Sequence, residues 1–342
     1  MIARQGSASS RARVANEAIA VLGAGAWGTA LANLCAREGR PVFLWARDRE
    51  HVAEMRATRR NARRAPGVEL AFSVEPTDDL ARAVGARVTL AVTPTQTLRA
   101  VAASARPHTP EGADWIVCAK GIERGSDAFL SDVLSAVLPQ AHPACLSGPS
   151  FAHDVSQGLP TAVTLAARED ERAERLCRLI AAPHFRLYRT TDLRGVEVGG
   201  AAKNVLAIAC GVAAGRGLGA SAGAALTARG FAELSRFGAA FGARPETLMG
   251  LSGLGDLVLS CGSLQSRNFA FGHALGAGAT LQEAAGGKLA EGAFTARALA
   301  AMARDRGVDM PIANVVDRLV AGALDVNGAI DSLMTRPLKA ES

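Results

Sequence analysis

Three glycines near the start of the chain have the spacing of a phosphate-binding turn. Gly23, Gly25 and Gly28 stand in "AVLGAGAWGTALA" in the pattern G-x-G-x-x-G. The apolar run "AIAVL" leads into them and the helix-compatible "WGTALANLCARE" follows, so strand, tight turn and helix succeed one another. In such a turn, backbone N–H groups and a helix N-terminus meet a pyrophosphate. The spacing therefore predicts a dinucleotide site.

The first charged residue after the next strand bears on which dinucleotide would bind. A site for NAD usually has Asp or Glu about twenty residues after the glycines, where it binds the ribose hydroxyls. Here the stretch "PVFLWARDR" presents Arg47 first. A guanidinium can stack on adenine and pair with a 2′-phosphate, which favours NADP(H), with NAD(H) as the other possibility. The alternative is that Arg47 is merely exposed and that Asp48 acts one residue later.

A single lysine interrupts an otherwise nearly uncharged helical stretch. Lys203 lies in "VGGAAKNVLAIA", and no other charge occurs between Gly199 and Gly215. A partly buried lysine near another cation has a lowered pKa, which suits it to exchange a proton with a substrate oxygen. The alternative is a lysine whose ammonium group reaches water at the edge of a domain.

Two other stretches carry polar groups at predicted helix starts. "SRN", Ser266 to Asn268, opens the predicted helix "SRNFAFGHALG" with the serine as its cap, and a phosphate there would meet free N–H groups and the Arg267 guanidinium. Ordinary helix capping explains this tripeptide equally well. In "GLSGLGDLVLSC", Asp256 could orient Lys203, bind a substrate hydroxyl or cap the next helix.

The elements that must position these residues change character along the chain. Short β-compatible runs ("VFLW", "RVTLAV", "WIVCAK", "ACLSG", "TAVTLA" and "FRLYR") alternate with helical stretches until about residue 189. This alternation predicts an α/β fold with a Rossmann-like, doubly wound, mostly parallel sheet. From Gly195 onward Ala, Leu and Gly dominate, which predicts an all-α part. We therefore expect a disordered tail over residues 1–17, a dinucleotide-binding domain over 18–194 and a helical substrate-binding domain over 195–342.

Composition narrows the class of protein. Of 342 residues, 49% are hydrophobic and 20% charged, as in globular proteins, and no apolar run approaches the roughly 20 residues of a membrane span. The first seventeen residues lack the apolar core of a secretory signal, which predicts a cytoplasmic location. Six scattered cysteines without a C-x-x-C pair argue against a disulfide framework or a metal site.

The net charge of +6 raises the question of nucleic acid. The dense basic cluster, "RATRRNARR", contains no aromatic residue on which a base could stack. We therefore interpret it as a solvated helix face or as a region near an anionic cofactor, and we expect no nucleic-acid partner.

Taken in order, the motifs resemble those of one enzyme family. "GAGAWGTALA", "LWARD", "NARRAPGV", "AKGIE", "LSGPSFA", "GVEVGGAAKNVLAIA", "GLGDLVLSC", "SRN" and "EGAFTA" resemble the successive signatures of bacterial-type NAD(P)-dependent glycerol-3-phosphate dehydrogenase. The resemblance implies a helical domain similar to that of 6-phosphogluconate dehydrogenase. It also implies hydride transfer between NAD(P)H and dihydroxyacetone phosphate or sn-glycerol 3-phosphate, a homodimer, and a role in supplying glycerol 3-phosphate for phospholipid synthesis.

The same resemblance assigns roles residue by residue, with Lys203 as the proton-transfer lysine. The residues expected at the substrate are Lys120, Gly148, Ser150, Lys203, Asp256, Ser266, Arg267 and Asn268. The residues expected at the cofactor are Gly23, Gly25, Ala26, Trp27, Gly28, Arg47, Lys120, Ala152, Arg267, Leu289 and Glu291. The chain departs from the family pattern at Ala220 and Ser221 and at His153 and Asp154.

Two other functions remain open at this stage. One is an NADP-dependent reductase of the same architecture that acts on a β-hydroxy acid, since a carboxylate substrate also needs an anion site. The other is a non-catalytic NADP(H)-binding protein, because a fold does not imply a reaction. Such a protein would need the glycine turn but would have no need of Lys203, Asp256 and Arg267 together.

Overall fold

The structure is a computed structural model that describes residues 18–287 and 290–335, so the predicted tail over residues 1–17 lies outside the described residues. The strands in this part are Ile19–Leu22 (β1), Val42–Trp45 (β2), Val74–Thr77 (β3), Val88–Ala91 (β4), Asp114–Val117 (β5), His142–Ser147 (β6), Thr161–Ala167 (β7) and Phe185–Thr190 (β8).

Helices follow most of the strands of the first half. They are Ala26–Cys35 (α1), Arg49–Thr58 (α2), Leu80–Val84 (α3), Leu98–Ala105 (α4), Leu130–Val137 (α5), Ala152–Ser156 (α6) and Asp170–Ile180 (α7). The second half is helical throughout the described residues, as predicted. Its helices are Leu193–Gly215 (α8), Gly219–Ala240 (α9), Pro245–Met249 (α10), Asp256–Cys261 (α11), Arg267–Gly276 (α12), Leu281–Ala285 (α13), Glu291–Asp305 (α14), Pro311–Val320 (α15) and Val326–Met334 (α16).

The strands form one eight-stranded sheet in the order β3-β2-β1-β4-β5-β6-β7-β8. Neighbouring strands are parallel except for the β6–β7 pair, which is antiparallel. In β1, β4 and β5 every residue is buried, because helices on both faces of a parallel sheet exclude water. The order of the first six strands is that of dinucleotide-binding sheets, so the predicted Rossmann-like α/β fold is confirmed.

Strand β3 was not predicted, because its sequence "VEPT" is polar and contains a proline. Pro76 lacks a backbone N–H, and such a strand is tolerated at the edge of a sheet, where β3 lies. The carbonyls that do not face β2 are bound by guanidinium groups: Arg56 Nε donates to Pro76 O at 2.8 Å and Arg59 Nη1 donates to Val74 O at 3.0 Å. Part of the basic cluster therefore completes the edge of the sheet.

The chain divides into two compact units that are not continuous in sequence. The first comprises the residues up to 119 and residues 130–193, and the second comprises residues 120–129 and those from 194 onward. The segment 120–129 belongs to the second unit because Ile122 and Phe129 are buried in its hydrophobic core. The two domains expected from composition were continuous in sequence and placed residues 120–129 in the first, since only packing against distant residues assigns this segment to the second unit.

Helix α8 is the buried core helix of the second unit. It is long and apolar enough to cross a membrane by length and composition, but 89% of its most apolar window is buried inside this protein. Burial in the protein core therefore accounts for the apolar composition of this helix. It packs closely on α12, because a Cβ on Gly211 would lie 2.1 Å from Phe269 O and one on Gly272 would lie 2.1 Å from Ile208 O. This backbone contact fixes the two predicted site helices against each other.

Candidate active site

Two lysines and one aspartate form a buried ion cluster in the second unit. Lys203 Nζ donates to Asp256 Oδ1 at 2.6 Å, and Lys120 Nζ donates to Asp256 Oδ2 at 2.6 Å. The Asp256 side chain is 1% exposed, Lys203 9% and Lys120 16%. Lys120 lies 136 positions before Asp256 in the sequence and Lys203 lies 53 positions before it, and folding brings both lysines within hydrogen-bonding distance of the aspartate. Lys203 is thus not a lysine that extends into water.

Burial and charge set the protonation of this cluster. Burial lowers the pKa of Lys203 to about 8; the carboxylate of Asp256 opposes this effect, and the charge of Lys120 adds to it. Burial alone would raise the pKa of Asp256, but the two ammonium groups and their hydrogen bonds outweigh it and lower that pKa below its ordinary value. Asp256 therefore stays ionised, while Lys203 can lose and regain a proton near neutral pH.

Ser260 is a member of the cluster that the sequence analysis missed. Its hydroxyl accepts from Lys203 Nζ at 2.7 Å and lies 3.5 Å from Asp256 Oδ1. Ser260 is four residues after Asp256 on α11, and residues four apart share a helix face. That spacing was the available signal. Ser260 and Asp256 together fix two directions of the Lys203 ammonium group.

The start of α11 explains why Asp256 is available to the lysines. A single π-helical turn, Leu251–Gly255, precedes α11. The N-cap of α11 is Gly255, which has no side chain with which to cap the helix. Asp256 is the first helical residue and not the cap. Of the three roles considered for Asp256, capping is therefore wrong, and orientation of Lys203 is the role that the geometry supports.

Asparagine side chains connect this cluster to the neighbouring helices. Asn204 Nδ2 donates to Lys120 O at 3.0 Å, which anchors the 120–129 segment to α8. Asn204 Oδ1 accepts from Asn268 Nδ2 at 2.9 Å, and Asn268 Oδ1 accepts from Gly292 N at 2.8 Å. The Asn268 carboxamide therefore joins α12 to α8 and α14. These hydrogen bonds support a positioning role for Asn268. The expected contact of Asn268 with substrate stays a prediction.

The start of α12 has the features expected of an anion site. Ser266 is the N-cap, and its hydroxyl accepts from Phe269 N at 3.4 Å, so the predicted cap is confirmed. Arg267 is the first helical residue and is exposed. A helix N-terminus with a nearby guanidinium favours an anion.

The glycine turn of the first unit has the shape that a pyrophosphate needs. Gly23 has φ +115°, and a Cβ there would lie 2.8 Å from Val92 O. A Cβ on Gly28 would lie 1.8 Å from Gly23 O, whereas nothing lies within 4 Å of one on Gly25. Gly25 is the N-cap of α1 and has no side chain that could accept from the first N–H groups of the helix. The first N–H groups of the helix, beginning at Ala26, are therefore open to a ligand, and the turn fits a dinucleotide.

The residues after β2 separate the two interpretations of the ribose end. Asp48 caps α2 by accepting from Glu50 N at 3.1 Å and His51 N at 3.2 Å, and it also pairs with Arg63 Nη1 at 3.3 Å. The hydrogen bond from His51 N is the main cause of the lowered pKa of Asp48. Arg47 is exposed. The Asp48 carboxylate is thus engaged within the protein, which favours Arg47 as the group that meets the cofactor.

The other predicted residues lie as follows. Gly148, with φ +149°, and Ser150 follow β6 in the first unit, where Ser150 Oγ donates to Gly148 O at 3.0 Å. Ala152 begins α6, Trp27 is half-buried in the first turn of α1, and Glu291 begins α14 in the second unit. Leu289 lies outside the described residues. Within residues 18–287 and 290–335, no group of three or more His, Cys, Asp or Glu side chains could hold a metal ion.

Comparison with known protein families identifies both parts of the chain. Residues 18–173 match the N-terminal domain model of NAD-dependent glycerol-3-phosphate dehydrogenase, and residues 192–331 match the C-terminal domain model. A glycerol-3-phosphate dehydrogenase (NAD(P)+) from Azorhizobium caulinodans is 60% identical over 95% of this chain and 98% of the relative. Another from Methylobacterium radiotolerans is 59% identical over 95% of this chain and 98% of the relative.

Solved structures agree with this assignment. The crystal structure of glycerol-3-phosphate dehydrogenase from Coxiella burnetii is 38% identical, has a TM-score of 0.90 and covers 94% of this chain and 100% of its own. A ketopantoate reductase family protein from Ralstonia eutropha, 18% identical with a TM-score of 0.61, covers 92% of this chain and 99% of its own and shares the fold alone. Sequence and structure together establish that the chain belongs to the NAD-dependent glycerol-3-phosphate dehydrogenase family.

Proposed function

We propose that the chain catalyses reversible NAD(P)-dependent hydride transfer between dihydroxyacetone phosphate and sn-glycerol 3-phosphate. The observation that carries this proposal is the buried Lys203–Asp256–Lys120 cluster in a member of this family. A non-catalytic binding protein would have no use for two ammonium groups held on a buried carboxylate.

Lys203 is the proposed proton donor and acceptor. The nicotinamide cofactor, when bound, supplies or accepts the hydride at carbon 2. An ammonium group has three N–H donors, and two of those on Lys203 go to Asp256 and Ser260 among the described residues. The third is then available to the oxygen on carbon 2. In ketone reduction Nζ gives its proton to the alkoxide that develops there, and in alcohol oxidation the neutral amine removes the hydroxyl proton.

Lys120 and Asp256 support this proton transfer electrostatically. Lys120 places a second positive charge on the same carboxylate, and positive charge nearby stabilises a developing alkoxide. Asp256 stays ionised and holds both ammonium groups in place. These two residues therefore preserve the orientation of Lys203 while its own charge changes.

The proposed phosphate site is the N-terminus of α12. Ser266 uses its hydroxyl as the helix cap, and Arg267, exposed at the first helical position, has the forked guanidinium that binds phosphate oxygens. A phosphate requirement would also separate this enzyme from a reductase of β-hydroxy acids.

We further propose that NADP(H) is preferred over NAD(H). The support is the position of Arg47 directly after β2 and the engagement of the Asp48 carboxylate with α2 and Arg63. An arginine at this point pairs with a 2′-phosphate, which NAD lacks. Arg47→Ala should lower the catalytic efficiency with NADPH more than that with NADH, because only NADPH loses the pairing with a 2′-phosphate, and so reduce the preference for NADPH.

The family resemblance also suggests a homodimer in the cytoplasm that supplies glycerol 3-phosphate for phospholipid synthesis. All six cysteines lie in the described ranges and form no disulfide there, and reduced cysteines suit a reducing compartment. Light scattering of the purified chain would test the oligomeric state.

The first experiment is to follow cofactor oxidation by absorbance with dihydroxyacetone phosphate and with unphosphorylated dihydroxyacetone, each with NADPH and with NADH. We expect turnover with the phosphorylated ketone, a much lower rate without the phosphate, and higher catalytic efficiency with NADPH. Equal efficiency with both cofactors would contradict the Arg47 proposal alone. No turnover of the phosphorylated ketone with either cofactor would contradict the proposed reaction.

A further inference from the structure

A buried asparagine lies directly behind the glycine turn. Asn61 is 0% exposed, although it lies within the basic run "RATRRNARR". Its Nδ2 donates to Ala24 O at 3.0 Å and to Thr29 Oγ1 at 2.8 Å. Its Oδ1 lies 2.8 Å from His51 Nε2. The carboxamide thus uses both of its N–H donors and its oxygen inside the first unit.

The partners of this carboxamide fix its orientation. Ala24 O can only accept a hydrogen bond, so the nitrogen of the Asn61 side chain must face it. The oxygen therefore faces His51, which must present an N–H at Nε2. His51 is on α2 and Thr29 is on α1, so one side chain connects two helices to the turn between β1 and α1.

The hydrogen bonds control the direction of two peptide groups of the turn. In a trans peptide the C=O and the following N–H point to opposite sides. Asn61 holds Ala24 O toward the protein interior, so the N–H of Gly25 points the other way. Gly25 O accepts from both Thr29 N and Thr29 Oγ1 at 2.9 Å, and Asn61 holds that hydroxyl, so the N–H of Ala26 also points away from the interior.

We propose that Asn61 is a positioning residue for cofactor binding, which it serves by aiming the Gly25 and Ala26 N–H groups at the pyrophosphate. Asn61 does not touch the cofactor in this arrangement. His51 fixes the Asn61 carboxamide, and Thr29 carries its effect to the second peptide group. The proposal rests on the proposed dinucleotide cofactor but not on the identity of the second substrate.

The chain offers a matched control. Asn33 is also on α1, and its Nδ2 donates to Glu69 O at 2.7 Å while its Oδ1 accepts from Ala71 N at 3.0 Å. It therefore ties the stretch that follows Asn61 to the same helix, with no hydrogen bond to the glycine turn. Loss of the Asn33 contacts loosens that connection without changing the direction of the Gly25 and Ala26 peptides.

The test measures equilibrium binding by calorimetry for wild type, Asn61→Leu and Asn33→Leu. The two probes are NADPH and adenosine 2′-monophosphate, which lacks the pyrophosphate. We expect Asn61→Leu to weaken NADPH binding about tenfold, since Ala24 O loses its side-chain donor and the Thr29 hydroxyl that supports Gly25 O loses its own partner. Binding of adenosine 2′-monophosphate by that variant should be unchanged, and Asn33→Leu should bind both probes like wild type.

Thr29→Val provides a milder test if Asn61→Leu does not fold. It removes the hydroxyl that donates to Gly25 O and accepts from Asn61 Nδ2, but it keeps the shape of the side chain and the hydrogen bond from Thr29 N to Gly25 O. We expect NADPH binding to weaken about threefold. The proposal is overturned if the Asn61 and Thr29 variants bind NADPH as well as Asn33→Leu does. It is also overturned if they lose affinity for adenosine 2′-monophosphate by the same factor, because that result would indicate general distortion. Because no second substrate is present, failure here is distinguishable from failure of the proposed reaction.

Discussion

The two units use opposite kinds of buried polar group for their proposed tasks, which are pyrophosphate binding in the first unit and proton transfer in the second. In the first unit, neutral side chains such as Asn61 and Thr29 act on backbone carbonyls, and the turn presents its N–H groups. In the second, charged side chains, Lys203 and Lys120, act directly and meet on Asp256. A helix N-terminus already carries partial positive charge, so it needs only correct direction. Proton transfer needs a group that changes its own charge, so it requires a titratable side chain.

The largest expected effect comes from removing the titratable group. Lys203→Met should lower kcat for dihydroxyacetone phosphate reduction about a thousandfold, because the alkoxide loses its proton donor. NADPH binding should remain within twofold of wild type, because the glycine turn is unchanged. Steady-state kinetics and calorimetry on the same preparation check both. Turnover within a few-fold of wild type would show that Lys203 is not the proton donor.

A substitution in the glycine turn of the first unit should lower the affinity for NADPH. Gly28→Ala would put a Cβ 1.8 Å from Gly23 O, so the turn must open, and we expect NADPH affinity to fall at least about tenfold. Gly223→Ala in α9 is the control, since nothing lies within 4 Å of its added Cβ. Unchanged affinity in Gly28→Ala would mean that the close packing at this turn is unimportant for binding.

The pH dependence of the two reaction rates should follow the titration of Lys203 in the second unit. The acid form of Lys203 is needed for ketone reduction, and its pKa is about 8, so the rate should be flat below pH 8 and fall above it. Alcohol oxidation needs the neutral amine, so its rate should rise up to about pH 8 and then level off. Profiles of kcat/KM in both directions test this pair of signs. Parallel profiles in the two directions would contradict the assignment.

The smallest expected effect concerns the hydroxyl in the charged cluster. Ser260→Ala removes one acceptor from the Lys203 ammonium group, and we expect a three- to tenfold loss of kcat, which corresponds to about one ordinary hydrogen bond because the bond to Asp256 remains. The descending limb of the reduction profile should also move to lower pH, because the charged form loses a stabilising partner. An unchanged profile together with reduced kcat would indicate that Ser260 acts only by packing.

Much of the fold could be predicted because its signals are local. The apolar runs that became β1, β2 and β4 to β8 are short, contiguous and separated by helical stretches, which is the pattern of a parallel sheet. Strand β3 could not be found in this way. Its four residues are an edge strand only because β2 and the guanidinium groups of Arg56 and Arg59 lie beside it.

The site was predictable where a residue type was unusual in its surroundings. Lys203 was conspicuous as the single charge between Gly199 and Gly215, and its interpretation as a lysine of lowered pKa agrees with its burial. Asn61 was hidden because it is one polar residue in a run of arginines, and only the tertiary fold buries it while its neighbours stay at the surface. A polar residue that acts on backbone groups far from it along the chain leaves no local pattern in the sequence, as Asn61 does with Ala24 O.

The segment 120–129, which packs in the second unit, has a consequence for synthesis of the chain. On the ribosome, the sheet of the first unit is made before helix α8 exists. Ile122 and Phe129 therefore emerge as apolar residues whose final neighbours have not yet been translated. Transiently exposed apolar side chains favour association with other chains or with chaperones. A fragment that ends at residue 192 would keep Ile122 and Phe129 without these neighbours, so we expect it to aggregate.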